Sequence, residues 1–338
     1  MSVDILVGDV FAKLAELPDE SVHCVVTSPP YWGLRDYGVA GQLGLEPTLG
    51  EHLETMVKVF EEVRRVMRPD ATLWLNYGDC YAASPSGQKT GIDGRIRPGQ
   101  GINAHTTFDD RTFTNKPFST VQGVLKPKDL CMIPNRLAIA LQEAGWWVRS
   151  EIVWTKPNPM PESVTDRSTS SHEKIWLLSK AQRYHYDADA VRRPYVRDWT
   201  PESNNPGWLQ GKAKYVLGGV HKTGGFQKSS AEGKGANLRN VWNIATAPYA
   251  EAHFATFPPA LAEQCIKAGC PENGIVLDCF GGAGTTGLVA DRLGRNAILI
   301  ELNPEYAELA RKRIDRDAAT RGDGPDEIMR GDDLPLFA

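Results

Sequence analysis

Two groups of residues in this 338-residue chain have types and spacing suited to chemistry. The first is Ser28-Pro29-Pro30-Tyr31, which follows the β-branched run Ser21–Thr27. That run reads as a buried strand, and it must stop at Pro29 and Pro30, because neither can donate to a sheet ladder. Two consecutive prolines also hold the backbone stiff and extended. A hydroxyl, carbonyls without competing N–H groups and a flat aromatic face are thereby fixed at a strand's carboxyl end, where open α/β sheets place their ligands. There a planar ring can stack on Tyr31 while an amino group on its edge donates to the Ser28 hydroxyl and the Pro29 carbonyl. A proline-terminated strand and a surface turn would use the same residues, so the motif needs support from elsewhere.

The C-terminal third provides it. Ile275–Asp278 reads as a strand, Gly281–Gly284 as a glycine loop, Thr285–Leu293 as a helix and Asn296–Glu301 as the next strand. Asp278, Phe280, Gly282, Gly284 and Thr285 then form a nucleotide-type loop. Its glycines let the backbone approach a ligand, and the helix start offers free N–H groups. Glu301, about 20 residues on, is placed to accept from two ribose hydroxyls. Gly282-x-Gly284-x-x-Gly287 by itself also fits a structural turn or a nicotinamide-dependent oxidoreductase.

The elements that must position these groups come in an unusual order. A nucleotide-binding sheet needs more strands after its second, yet only one helix and an acidic tail follow Glu301. The missing strands must lie at the N-terminus. Ile5–Val7 becomes the third strand and Ser21–Thr27 the fourth, beside Ile275–Asp278. This α/β reading is circularly permuted, and it sets Ser28–Tyr31 across the crevice from the glycine loop. Between the two halves, Glu51–Met67 and Leu130–Ala144 read as helices, and Ala71–Tyr77, Trp147–Trp154 and Lys174–Ser179 as strands. Trp146, Trp147, Trp154 and Trp176 are expected in the core.

Four segments follow from this: 1–190 with an irregular insert at 78–128, an irregular stretch at 191–240, a second half-domain at 241–317, and a polar acidic tail at 318–338. From Gly207 the irregular stretch holds Lys212, Lys214, Lys222, Lys228, Lys234 and Arg239 against the single acid Glu232. Such a bias suits phosphate contact. The net charge of −4 argues against a uniformly basic nucleic-acid binder but permits a local basic face. No apolar run approaches the roughly 20 residues of a membrane span, and no signal peptide is visible. The six scattered cysteines read as reduced thiols of a cytoplasmic protein, and no metal-ligand set is evident.

Read together, the motifs resemble those of amino-group DNA methyltransferases of the permuted beta arrangement. Val26-Thr27-Ser28-Pro29-Pro30-Tyr31 is similar to the form typical of the cytosine-N4 enzymes. Asp278-Cys279-Phe280-Gly281-Gly282-Ala283-Gly284-Thr285 resembles the family's Asp-Pro-Phe-x-Gly-Ser-Gly-Thr, with Cys279 for Pro and Ala283 for Ser. Ala252–Pro258 is similar to the stretch before the cofactor strand, which brings in Thr256 and Phe257. Gly8-Asp9 matches the family's acidic residue near the cofactor adenine.

The resemblance implies a Rossmann-like sheet that binds S-adenosylmethionine and methylates double-stranded DNA, with the irregular segments as DNA-recognition inserts and 191–240 as the target-recognition region. A cognate restriction endonuclease is the implied partner. Ser28, Pro29, Pro30 and Tyr31 would act on the exocyclic amine of a flipped base, N4 of cytosine in preference to N6 of adenine. A catalytically dead DNA-binding module, or an RNA or protein methylase, would keep part of this pattern.

Overall fold

In the computed structural model, residues 2–34, 36, 38–83, 118–194, 235–246 and 257–321 are described. The chain falls into two compact units, Met1–Tyr186 with Asn240–Ala338, and Asp187–Arg239. The first unit carries the sheet. Its described strands are β1 (Val3–Val7), β2 (Val22–Thr27), β3 (Met67–Tyr77), β4 (Trp147–Thr155), β5 (His172–Ser179), β6 (Val241–Asn243), β7 (Ile275–Asp278) and β8 (Asn296–Glu301). They lie in the order β1-β8-β7-β2-β3-β5-β4-β6. Only β5 runs antiparallel to its neighbours.

The run β1-β8-β7-β2 is the permuted order expected from the sequence. β2 pairs directly with β7 through Cys24–Val276 and Val25–Leu277. Val22, Cys24, Val25, Val26 and Thr27 are all buried, as a parallel strand covered on both faces requires. The described helices are α1 (Val10–Ala15), α2 (Leu49–Val66), α3 (Ile133–Glu143), α4 (Pro259–Gly269), α5 (Thr285–Arg292) and α6 (Pro304–Arg321).

Helix α2 starts at a capping box, with Thr48 and Glu51 each satisfying the other's backbone N–H. Its buried face is His52, Met56, Val59, Phe60, Val63 and Val66. The apolar period alone places Leu53 and Val57 there; both are half-buried at its margin. Strand β3 begins at Met67, four residues before the expected Ala71. Its pairing with β2 jumps from Val22–Met67 to Cys24–Thr72. The extra residues bulge outward, which leaves Pro69 and Asp70 exposed and spares the ladder a missing donor.

Strand β6, unforeseen because it is three residues long, adds to β4 in parallel. Its Trp242 is buried, and Ile244 just beyond it accepts from the Trp154 indole at 2.8 Å. Trp146, Trp154 and Trp176 are buried as expected, whereas Trp147 is 44% exposed. The two ends of the first insert are held to each other. Tyr81 bridges to Leu130, and the buried Thr120 exchanges hydrogen bonds with Ala83. Residues 84–117 lie outside the described residues.

In the second unit, residues 187–194 meet residues 235–239. Arg193 and Ala236 exchange backbone hydrogen bonds of 2.9 and 2.8 Å, and Arg192 donates to Gly235 O and Asn237 Oδ1. A Cβ at Gly235 would lie 2.4 Å from Arg193 O, so this pairing depends on glycine. Arg239 is exposed, while Lys212, Lys214, Lys222, Lys228 and Lys234 lie outside the described residues. No helix among the described residues is long and apolar enough to cross a membrane.

Candidate active site

The carboxyl ends of β2 and β7 are fastened by one buried carboxylate. Asp278 Oδ1 accepts from the Thr27 hydroxyl at 2.7 Å and from Phe280 N at 3.1 Å. Its Oδ2 accepts from Thr286 Oγ1 at 2.6 Å. Burial holds the Asp278 pKa above the usual carboxylate value despite these bonds. The sequence placed Asp278 among ligand-binding residues. In the structure it is a tie beneath the loop, with both oxygens engaged internally.

The loop glycines divide in a way the pattern did not show. Gly282 has φ +50°, and a Cβ there would meet nothing closer than Phe280 O at 3.9 Å. Gly284 has φ +76°, and a Cβ there would lie 2.8 Å from Ala310 Cβ and 3.2 Å from Ile314 on α6. Gly284 therefore has no room for a side chain because helix α6 packs against it. Gly287 likewise admits Val3 and Leu299. Thr285 is buried, and its hydroxyl accepts from Arg313, which also donates to Ala283 O.

Glu301 ends β8 with both oxygens oriented. Oε2 accepts from Gly282 N and Oε1 from Asn303 N, each at 2.8 Å. Burial raises its pKa. Asp9 caps α1 by accepting from Phe11 N and Ala12 N with one oxygen. Phe257 and Phe280 are half-buried, and Thr256 lies outside the described residues.

Across the sheet edge, Pro29 is buried and Tyr31 half-buried. The Tyr31 ring stacks on Tyr77, centroids 4.7 Å apart at 23°, so one of its faces is already covered. Gly78 makes room for that ring, since a Cβ there would sit 2.6 Å from Tyr31 Cε2. Beneath the motif, His52 bridges Glu46 Oε2 and the Tyr77 hydroxyl at 2.8 Å each. Tyr77 Oη in turn accepts from Trp32 N and donates to Pro30 O. Burial is the largest influence on the Glu46 pKa and would raise it, but the bond to His52, the charge interaction with that ring and backbone N–H bonds together outweigh it, and the net shift is downward.

Beside the motif, Asn76 Nδ2 donates to Tyr31 Oη and Glu173 Oε2, both at 2.9 Å. Tyr31 donates to Glu173 at 2.8 Å, and Lys156 pairs with the same carboxylate. Sequence reasoning missed Glu46, His52, Asn76, Gly78, Lys156 and Glu173. The available signals were a histidine on an apolar helix face and polar residues where β3, β4 and β5 end or begin.

Loop, carboxylate and Ser28 motif thus line the carboxyl ends of adjacent strands, an arrangement suited to group transfer between a nucleoside-bearing donor and a planar amine. A DNA methylase family model, N6_N4_Mtase, matches residues 22–312. The chain is 42% identical over 313 residues to Type II methyltransferase M.SmaI of Serratia marcescens, covering 93% of this chain and 91% of that protein. Its fold is that of PvuII DNA methyltransferase (cytosine-N4-specific), with a TM-score of 0.58 at 18% identity over 95% of this chain and 92% of that one. It is also that of M1.HpyAVI, solved with S-adenosylmethionine, with a TM-score of 0.51 at 17% identity over 92% and 98%. The chain belongs to the N6_N4_Mtase family of DNA methylases.

Proposed function

We propose that the protein methylates the exocyclic N4 of a cytosine turned out of double-stranded DNA, using S-adenosylmethionine. The observation that carries this reading is the fastening of β2 to β7 through Thr27 and Asp278. It holds Ser28-Pro29 and the glycine loop at adjacent strand ends, so that an amine and a donor nucleoside share one crevice.

The residues present fit the cofactor. Glu301 is pinned by Gly282 N–H and Asn303 N–H with its remaining lone pairs available to ribose hydroxyls, and Gly282 leaves open space beside it. Phe280, Phe257, Thr256 and the second oxygen of Asp9 complete the proposed site. S-adenosylmethionine supplies an electrophilic methyl on a positively charged sulfur. The amine is a weak nucleophile because its lone pair is delocalised into the ring. Ser28 Oγ and the Pro29 carbonyl accept its two hydrogens and favour a pyramidal nitrogen facing the methyl. Positioning and electrostatics then carry most of the rate. The base stacks on the face of Tyr31 that Tyr77 leaves uncovered.

The choice of cytosine rests on the Thr27-Ser28-Pro29-Pro30 form and is supported by the fold shared with a cytosine-N4-specific enzyme. Residues 191–240, with Lys212, Lys214, Lys222, Lys228, Lys234 and Arg239, are the proposed target-recognition region. The likeness to a Type II methyltransferase supports a restriction endonuclease of the same specificity as partner. Digesting DNA from a host expressing the chain to nucleosides and separating them by mass spectrometry tests the reading. N4-methylcytosine is expected. N6-methyladenine alone would replace the base and keep the mechanism, and 5-methylcytosine would refute both.

A further inference from the structure

Glu173 and Lys156 belong to neither motif, yet their pair closes the Ser28 side of the site. We infer that Glu173 is a positioning residue for methyl transfer. It directs the hydrogen bonds that make Ser28 an acceptor, and it receives through Tyr31 the proton released by the methylated amine. This rests on the proposed function above.

For Ser28 Oγ to accept an amine N–H, its own hydrogen must point elsewhere. Ser28 Oγ donates to Tyr31 Oη at 3.4 Å, and Tyr31 Oη donates to Glu173 Oε2 at 2.8 Å. An ionised carboxylate only accepts, so it fixes the direction of the whole chain. The Tyr31 oxygen is left to accept from Ser28, and Ser28 is left to accept from the substrate. Asn76 Nδ2 reinforces this direction by donating toward all three oxygens, at 3.4 Å to Ser28 and 2.9 Å to the other two.

Lys156 binds the other oxygen of Glu173 and lies over the Trp154 ring, 4.7 Å from its centroid. The Glu173 and Lys156 side chains are 17% and 21% exposed, so little water competes for these bonds. Burial, together with the Glu173 charge, pushes the Tyr31 hydroxyl well above its ordinary pKa. The phenol therefore stays protonated and can pass a proton on without holding a charge.

The step balances. The nitrogen lone pair forms the N–CH3 bond, and the electrons of the S–CH3 bond stay on sulfur. The methylated amine then carries one excess proton. That proton moves to Ser28 Oγ as the Ser28 proton moves to Tyr31 and the Tyr31 proton to Glu173 Oε2. One positive charge (on sulfur) and one negative charge (on Glu173) disappear, and Lys156 stays charged. Glu173, partly exposed, returns the proton to water.

The test is single-turnover methyl transfer to plasmid DNA from a methylase-free host, with dissociation constants for S-adenosylmethionine and DNA measured on the same variants. Glu173→Gln and Tyr31→Phe are each expected to slow transfer roughly 10²-fold with both constants unchanged. The double variant should be no slower than the slower single, because one chain is cut twice. Glu173→Asp should recover part of the rate. The groups facing Glu173 are Lys156 from the end of β4, Tyr31 after β2 and the neutral Asn76 of β3. Near-wild-type transfer by Glu173→Gln, or losses in the two singles that multiply in the double, would overturn the inference. Should Glu173→Gln fold poorly, Tyr31→Phe decides alone, since it keeps the ring on Tyr77 and the Glu173–Lys156 pair. A wild type that leaves no methyl mark overturns the proposed function as well; an active wild type matched by Tyr31→Phe overturns only this inference.

Discussion

The two walls of the crevice are built on different principles. The Ser28 wall stands on side chains: Tyr77, His52 and Glu46 beneath it, Asn76, Glu173 and Lys156 beside it. The glycine-loop wall stands on one buried carboxylate and on packing, with Asp278 tying strand ends through Thr27 and Thr286 and Gly284 admitting α6. A wall that must orient a proton acceptor needs a directional network. A wall that must admit a bulky nucleoside needs absent side chains and a rigid floor. Asp278 and Gly284 in the second wall thus have structural contacts of their own, while the first wall draws its side-chain support from outside its motif.

The largest expected effect breaks this contrast at Gly284. Gly284→Val should cost about 3 kcal/mol of stability through overpacking against Ala310 and a strained φ. Gly282→Ala should cost only about 1 kcal/mol, from its φ alone, and should mainly weaken cofactor binding. Denaturant titration beside calorimetry separates the two, and equal stability losses would dissolve the distinction drawn between these glycines.

Next in size, Ser28→Ala should slow methyl transfer on the order of 10²-fold while cofactor affinity stays at the wild-type value. A matching loss of affinity would show the walls to be one unit.

Glu301→Gln should weaken cofactor binding by about 1.5–3 kcal/mol, the value of hydrogen bonds to a charged acceptor. Because burial raises the Glu301 pKa, binding should be full above that raised value and decline as the pH falls through it. Its contribution to folding runs the other way. That stability is fully present below the ordinary carboxylate value and is lost as the pH rises through the raised one. Calorimetry across this range reads the first effect, and the Gln variant should show no such decline.

The smallest effect per residue lies outside both walls. Replacing Lys212, Lys214, Lys222 and Lys228 should reduce the log–log salt slope of DNA binding by about 0.9 for each phosphate that is no longer neutralised. An unchanged slope would place the DNA face elsewhere.

Much of this architecture is legible in the chain. Prolines at 29 and 30 mark a strand's end, and the late position of Ile275–Glu301 requires the order β1-β8-β7-β2. What is not legible depends on distance in sequence. Glu173 reaches Tyr31 across 142 residues and Asn76 across 97, so no local pattern couples them. The spacing Gly282-x-Gly284-x-x-Gly287 shows where side chains are absent but not whether a ligand or helix α6 occupies the space. His52 escapes notice because an apolar period counts only apolar residues, although it is completely buried.

The pairing of β2 with β7 also bears on how the protein is made. Thr27 and Asp278, joined by a hydrogen bond, are 251 residues apart. On the ribosome β2 is complete long before β7 exists, so the growing chain carries the future centre of its sheet as an open edge. Closing that gap joins parts of very high sequence separation, a slow event in folding. Until β7 and β8 have emerged and docked, neither the crevice nor its floor exists. A nascent chain cannot methylate, and activity switches on only when the last strands slot into the middle of the sheet.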